Sequence, residues 1–162
     1  MNHNITISQE TNTSGRLVNS SFYYRNTLTL QNRHQINTTT IYRPERWDDR
    51  TSLGNGNFRY SRGGQLEVTY GTDTSRVLSS SIGANAMTEA LGDWSYQIKG
   101  GITYKPTDRL SMDLDLMVRK ASDWLVNLNG TTVATYDALH WQPGVRAEYF
   151  LTARQQLQFT LQ

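Results

Sequence analysis

From Trp94 to Val118, apolar and polar residues alternate through two long runs joined by a short turn. Trp94, Tyr96, Ile98, Gly100, Ile102 and Tyr104 fall on one parity, and Ser95, Gln97, Lys99, Gly101, Thr103 and Lys105 on the other. After Pro106-Thr107-Asp108-Arg109 the apolar parity resumes with Leu110, Met112, Leu114, Leu116 and Val118. Ser111, Asp113, Asp115 and Arg119 oppose it, with Met117 the one apolar residue among them. Successive side chains of a strand point to opposite faces, so each run predicts a strand with one oily and one wet side. Strands of soluble domains average about five or six residues. Alternation of this length matches strands that cross a membrane in the wall of a barrel.

The same period recurs along the chain and predicts an all-β, antiparallel up-and-down meander of about eight long strands. The first covers about Leu17 to Leu30, and the second passes through Ile36, Thr38, Thr40 and Tyr42. A polar connection from Arg43 to Gly56 leads to a third strand, about Asn57 to Gly71, in which Gly63-Gly64 marks a bulge or a split. A fourth strand runs through Met87. The Trp94–Val118 hairpin supplies the next two, and a loop beyond Trp124 carries an Asn129-Gly130 hairpin signal. A seventh strand covers about His140 to Leu151, and Leu157, Phe159 and Leu161 begin an eighth that is cut short at Gln162. Residues 1–162 are expected to form a single barrel domain or fragment, with 1–15 an irregular or partial strand.

Short turns near residues 32, 73, 107 and 153 alternate with longer connections at 43–56, 88–93 and 123–140. Short turns at one rim and long loops at the other characterise outer-membrane barrels. On this arrangement Trp94, Trp124 and Trp141 fall at the long-loop rim, and Tyr70, Tyr104 and Tyr149 near the opposite one. All six take the outward parity of their strands, where aromatic girdles of membrane barrels are found. Aromatic capping of a soluble sandwich core is the competing explanation.

Composition narrows the picture. Sixteen basic and 14 acidic residues leave a net charge of +2, and the basic residues are scattered, so nucleic acid is not an expected partner. Only 36% of residues are hydrophobic and mean hydropathy is -0.62, which excludes an apolar spanning helix but not a barrel, where only alternate residues meet lipid. Cysteine is absent, which removes disulfide frameworks and thiolate metal sites. The N-terminus, from Met1 to Thr6, lacks the charged and apolar regions of a signal peptide, so either the mature chain begins there or a longer precursor is expected.

Little of the sequence points to catalysis. Asp113 and Asp115 share a face, but at about 7 Å on an open strand no nucleophile or base stands beside them. Interleaved with Lys99, Arg119, Arg146 and Glu148, they read as the lining of a hydrated, charge-compensated lumen. His3, His34 and His140 lack metal-ligand spacing, and no cofactor is expected. Barrel-embedded hydrolases place Ser and His on the outer wall, so Ser122, Asp137 and His140 define a minor alternative, with His140 more simply a loop-edge residue. Gly54-Asn55-Gly56 and Gly100-Gly101 lack the strand-to-helix context of a phosphate cradle.

The segment Arg43-Pro44-Glu45-Arg46-Trp47-Asp48-Asp49-Arg50-Thr51-Ser52-Leu53-Gly54-Asn55-Gly56 resembles a loop in a family of large Gram-negative envelope proteins. Those proteins join an N-terminal carbohydrate-binding family 9-like sandwich to a C-terminal outer-membrane barrel of unknown function. Tyr104-Lys105-Pro106-Thr107-Asp108-Arg109-Leu110 is similar to their later hairpins, while Gly54-Asn55-Gly56 stands where they usually carry Gly-Gly-Pro. The resemblance implies that the chain lies inside the barrel, that the carbohydrate-binding domain belongs to a full-length parent, and that no catalytic residue is carried over. The expectation is therefore a non-enzymatic section of an outer-membrane barrel. Its partners would be the lipid bilayer and a small solute or glycan that it passes, docks or anchors. A soluble β-sandwich or barrel used for binding is the alternative.

Overall fold

The computed structural model describes residues 1–48, 56–129, 132–152 and 155–162. It contains strands β1 (Asn2–Thr11), β2 (Leu17–Thr29), β3 (Gln35–Arg43), β4 (Arg46–Asp48), β5 (Phe58–Tyr60), β6 (Gly63–Gly71), β7 (Leu78–Thr88), β8 (Trp94–Thr107), β9 (Leu110–Asn129), β10 (Thr132–Thr152) and β11 (Gln155–Leu161). Nine of them form one sheet in the order β1-β2-β3-β6-β7-β8-β9-β10-β11, while β4 and β5 pair separately. Every pairing is antiparallel. The sheet is open, and β1 and β11 are not paired with each other.

The antiparallel meander and its central hairpin follow the alternation. Ile98 stands opposite Val118, Ile102 opposite Leu114 and Tyr104 opposite Met112, so the two apolar parities meet on one face. The same face continues through Val145 and Tyr149 on β10 to Leu161 and Leu157 on β11. In the other direction Ile82, Tyr70 and Ile36 stand in register across β7, β6 and β3.

Four features differ from the sequence reading. The partial strand expected within 1–15 is a ten-residue strand paired with β2 along its length. Only Ile5 and Ile7 carry apolar parity there, so cross-strand hydrogen bonds extend a weakly patterned segment. The third expected strand is split, one of the two outcomes read at Gly63-Gly64, but not into a hairpin: β5 pairs with β4 instead of β6, which begins at Gly63. The loop expected beyond Trp124 is strand, because β9 and β10 stay paired out to Asn129 and Thr132. The Asn129-Gly130 turn itself extends outside the described residues, as do Asp49 to Asn55 of the Arg43–Gly56 segment and the turn at Ala153-Arg154.

The fourth difference is Trp124. Ser122 and Asp123 together stand opposite Asp137, and Asp123 adopts a φ of 50°. That bulge inserts one residue and reverses the parity of the strand beyond it. Trp124 therefore turns to the face of Arg119, whose guanidinium lies 5.8 Å from the indole centroid.

The sheet is one layer thick over most of its area. Accessible surface is 11155 Å², against about 8,200 Å² for a compact monomer of 18.5 kDa. Among the described residues the only buried apolar side chains are Ile41 and Ala121. The buried strand residues Thr39, Ile41, Ser79, Ser95 and Ala121 all take the polar parity. The apolar parity is open instead: Ile98 is 61% exposed, Leu114 54% and Trp141 59%. A sheet that shields one face and opens the other is curved, with the polar face inside.

Candidate functional site

The inner face carries a band of charged and polar side chains whose positions follow from register. Lys99 on β8 forms an ion pair with Glu67 on β6, spanning β7. Gly83 makes this possible: a Cβ there would stand 2.9 Å from Lys99 Cε and 3.0 Å from Thr69 Oγ1. Arg119 pairs with Glu89, and Arg146 with Glu148 two residues along the same strand. Asp113 accepts a 2.6 Å hydrogen bond from Thr103 Oγ1. Asp115 leans over Gly101, where a Cβ would crowd its Oδ1, and its carboxylate has no hydrogen-bond or ion-pair partner among the described residues.

Lys99, Asp113, Asp115, Arg119, Arg146 and Glu148 thus share one face, and register brings them together across three neighbouring strands. Partly exposed ion pairs contribute about 0–1 kcal/mol each, so their main effect is to neutralise a polar wall. A depression of about 410 Å³ runs from Ser81 on β7 to Thr160 on β11, lined by Gln97, Lys99, Asp115 and Arg146 together with Leu116, Met117, Val145 and Leu161.

Tyr70, Trp94, Tyr104, Trp141 and Tyr149 lie on the opposite, open face. Trp124 does not join them, because the β9 bulge turns it inward. His140 lies on the inner face opposite Arg119, and the Ser122 amide donates to Ser95 Oγ at 3.0 Å. No hydrogen bond joins His140 to Ser122 or Asp137 among the described residues. His3 and His34 each meet a tyrosine, Tyr24 and Tyr70, so the three histidines remain apart.

Sequence reasoning passed over Glu67 and Glu89, the partners of Lys99 and Arg119. Glu67 was reachable from its parity on β6, whereas Glu89 sits in a connection without periodicity. It also passed over a cluster at the long-connection rim. There Asp123 N donates to Asp137 Oδ1 at 3.2 Å, and the Asp93 carboxyl is held above the usual carboxylate range. The first cause is its hydrogen bond with Asp123, then the negative charge of Asp123, with burial and Asp137 adding to it. At the opposite rim Asp73 is held below that range, chiefly by hydrogen bonds from Ser75 Oγ at 2.7 Å and Ser75 N at 2.9 Å.

Architecture and site together define an antiparallel, amphipathic, curved sheet with a polar inner face. No protein-family model matches the chain, and neither a curated protein nor a solved structure is significantly similar to it.

Proposed function

We propose that this chain is a section of the wall of a bacterial outer-membrane β-barrel, with its open apolar face against lipid and its polar face lining a hydrated interior. The observation that carries this reading is the segregation of the two parities across the sheet up to the β9 bulge, weak only on β1, with the apolar one exposed. In water such a surface far exceeds the few hundred Å² of apolar patch that monomers expose. In a bilayer it is the favourable arrangement. Five aromatic residues on that face, Tyr70, Trp94, Tyr104, Trp141 and Tyr149, supply the girdles, and the resemblance of Arg43–Gly56 to an envelope-protein loop agrees with them.

Lipid tolerates no unpaired strand edge, since each unsatisfied backbone group costs several kcal/mol. The edges of β1 and β11 therefore pair with further strands of the complete wall. Nine alternating strands leave β1 and β11 running the same way, so wholly antiparallel closure takes an odd number of additional strands. The function is passage, docking or anchoring of a solute or glycan at the outer membrane, with the charged wall tuning what enters. In a full-length parent, an N-terminal carbohydrate-binding domain would deliver the glycan.

The test is membrane fractionation followed by migration on a detergent gel with and without boiling. A membrane-bound species that migrates faster unboiled is expected. Soluble protein whose migration ignores boiling refutes the reading.

A further inference from the structure

We infer that Arg43 and Arg46 form an oxyanion site, for a phosphate group, at the mouth of the polar face. Both guanidinium-bearing side chains line one pocket of about 230 Å³, together with Tyr60, Ser61, Thr88 and Glu89. Arg43 ends β3 opposite Gly63 and Arg46 opens β4 three residues further on, so the chain brings the two arginines to the same rim. Two like charges on one small pocket repel, and a bound anion relieves that repulsion.

The pocket is built. Arg46 stands opposite Tyr60 in the β4–β5 pair and lies over its ring at 4.5 Å, while Phe58 meets Tyr60 edge-on at 5.1 Å. On the neighbouring residue, Arg16 covers Trp47 at 4.8 Å and ties the hairpin to the β1–β2 turn. Glu45 and Arg59 close it with an ion pair. Stacking fixes the plane of Arg46 but leaves its N–H edge for a ligand. At the floor, Thr88 Oγ1 accepts from Gly64 N at 2.9 Å, and a Cβ on Gly63 would lie 2.0 Å from that oxygen.

The internal hydrogen bonds select the ligand class. Ser61 Oγ donates to Leu91 O at 3.1 Å, Thr88 Oγ1 is held by Gly64, and Glu89 is engaged by Arg119. Among the described residues the guanidinium groups of Arg43 and Arg46 have neither hydrogen-bond nor ion-pair partners. What the pocket adds to these partnered groups is two guanidinium groups whose positive charge no ion pair offsets. A tetrahedral oxyanion would neutralise that charge and fill their N–H donors, as a neutral sugar would not. The pocket does not depend on the barrel: its donors stand together whether or not the sheet faces lipid.

The experiment is calorimetric titration of the full chain, folded in neutral detergent micelles, with inorganic phosphate at low salt. Saturable one-site binding is expected, weakened at least about tenfold in Arg43→Gln and in Arg46→Gln. Arg109→Gln, which removes an exposed arginine at the opposite rim and outside the pocket, should bind as the parent does. Absence of saturable binding, or an equal loss in Arg109→Gln, overturns the site. Repeating the titration in micelles doped with phosphatidylglycerol assigns the source. An abolished isotherm identifies a lipid phosphate and an unchanged one a soluble phosphate, both supporting the site. Should the variants fail to fold, phenylglyoxal labelling of the parent chain decides: phosphate must protect Arg43 and Arg46 more than Arg109, and equal protection overturns the proposal.

Discussion

Leu114→Arg separates a lipid-facing wall from a surface in water. Leu114 stands on β9 between Ile102 and Val145, between the aromatic rows at Trp141 and Tyr104, and is 54% exposed. Burying a whole leucine side chain is worth about 1.5–3 kcal/mol, so the open half carries about 1–1.5 kcal/mol if its surroundings are hydrocarbon. Placing arginine there instead raises the total to roughly 2–4 kcal/mol at a bilayer midplane. That is a shift of roughly 30- to 900-fold in the folding equilibrium. In water the same exchange at a half-exposed site stays within about 0.5 kcal/mol. Ser81→Arg is the matched control: Ser81 pairs with Gly101, which pairs with Asp115, the neighbour of Leu114, so it sits at the same height on the polar face. Its arginine would project toward Asp115. Urea titration in phospholipid vesicles, followed by tryptophan fluorescence, should show Leu114→Arg destabilised by the full amount and Ser81→Arg nearly unchanged. Equal shifts in the two variants refute the assignment of faces to lipid and lumen.

Asp115→Asn should move the reversal potential of bilayer-reconstituted protein toward anions, and more than Asp113→Asn, because Asp113 is already held by Thr103. An unchanged potential in both counts against a conducting interior lined by them. Gly63→Ala should cost about 1–3 kcal/mol in urea unfolding, since its methyl group would displace the Thr88 hydroxyl from Gly64. A loss near zero would show that the Thr88 contact contributes nothing. For pH, Asp93 has a folded value raised above its unfolded one, so its contribution is fully present below the unfolded value and is lost as pH rises through the folded one. Asp123→Asn removes the neighbouring charge and should flatten that decline as pH rises past the ordinary carboxylate range; an identical slope in both proteins rules the cluster out as its source. Asp73 has the opposite sign, with stability present above its unfolded value and lost as pH falls through the lower folded one.

How much of the fold is legible in the sequence depends on what a period of two can encode. Parity assigns a face to each residue as long as the strand stays regular. The central hairpin, the common face of the six charged residues and that of five of the six aromatics were therefore legible from alternation. Parity fails at an inserted residue. Nothing about Ser122-Asp123 announces a bulge, and the reversal it causes carried Trp124 to the inner face. Parity also says nothing of who stands beside whom two strands away. Lys99 reaches Glu67 only because register puts Gly83 between them, and glycine leaves the path clear. β1 escaped notice because a strand can be held by backbone pairing to β2 with hardly any apolar pattern of its own.

The Arg43–Arg46 pocket lay furthest from sequence reasoning, for a related reason. Its charges come from the end of β3 and from a separate two-stranded hairpin, its floor from Gly63 and Thr88, and its wall from Glu89 and Trp124. None of these shares a period with the others. The Arg43–Gly56 segment was conspicuous as a motif, yet two of its arginines gain a role only from where the fold sets them, on one pocket and without an acidic partner among the described residues. Across the rest of the inner face, Lys99, Arg119 and Arg146 each meet a glutamate. The two arginines gathered at the rim therefore concentrate positive potential there, as the ion-paired Lys99, Arg119 and Arg146 behind them do not.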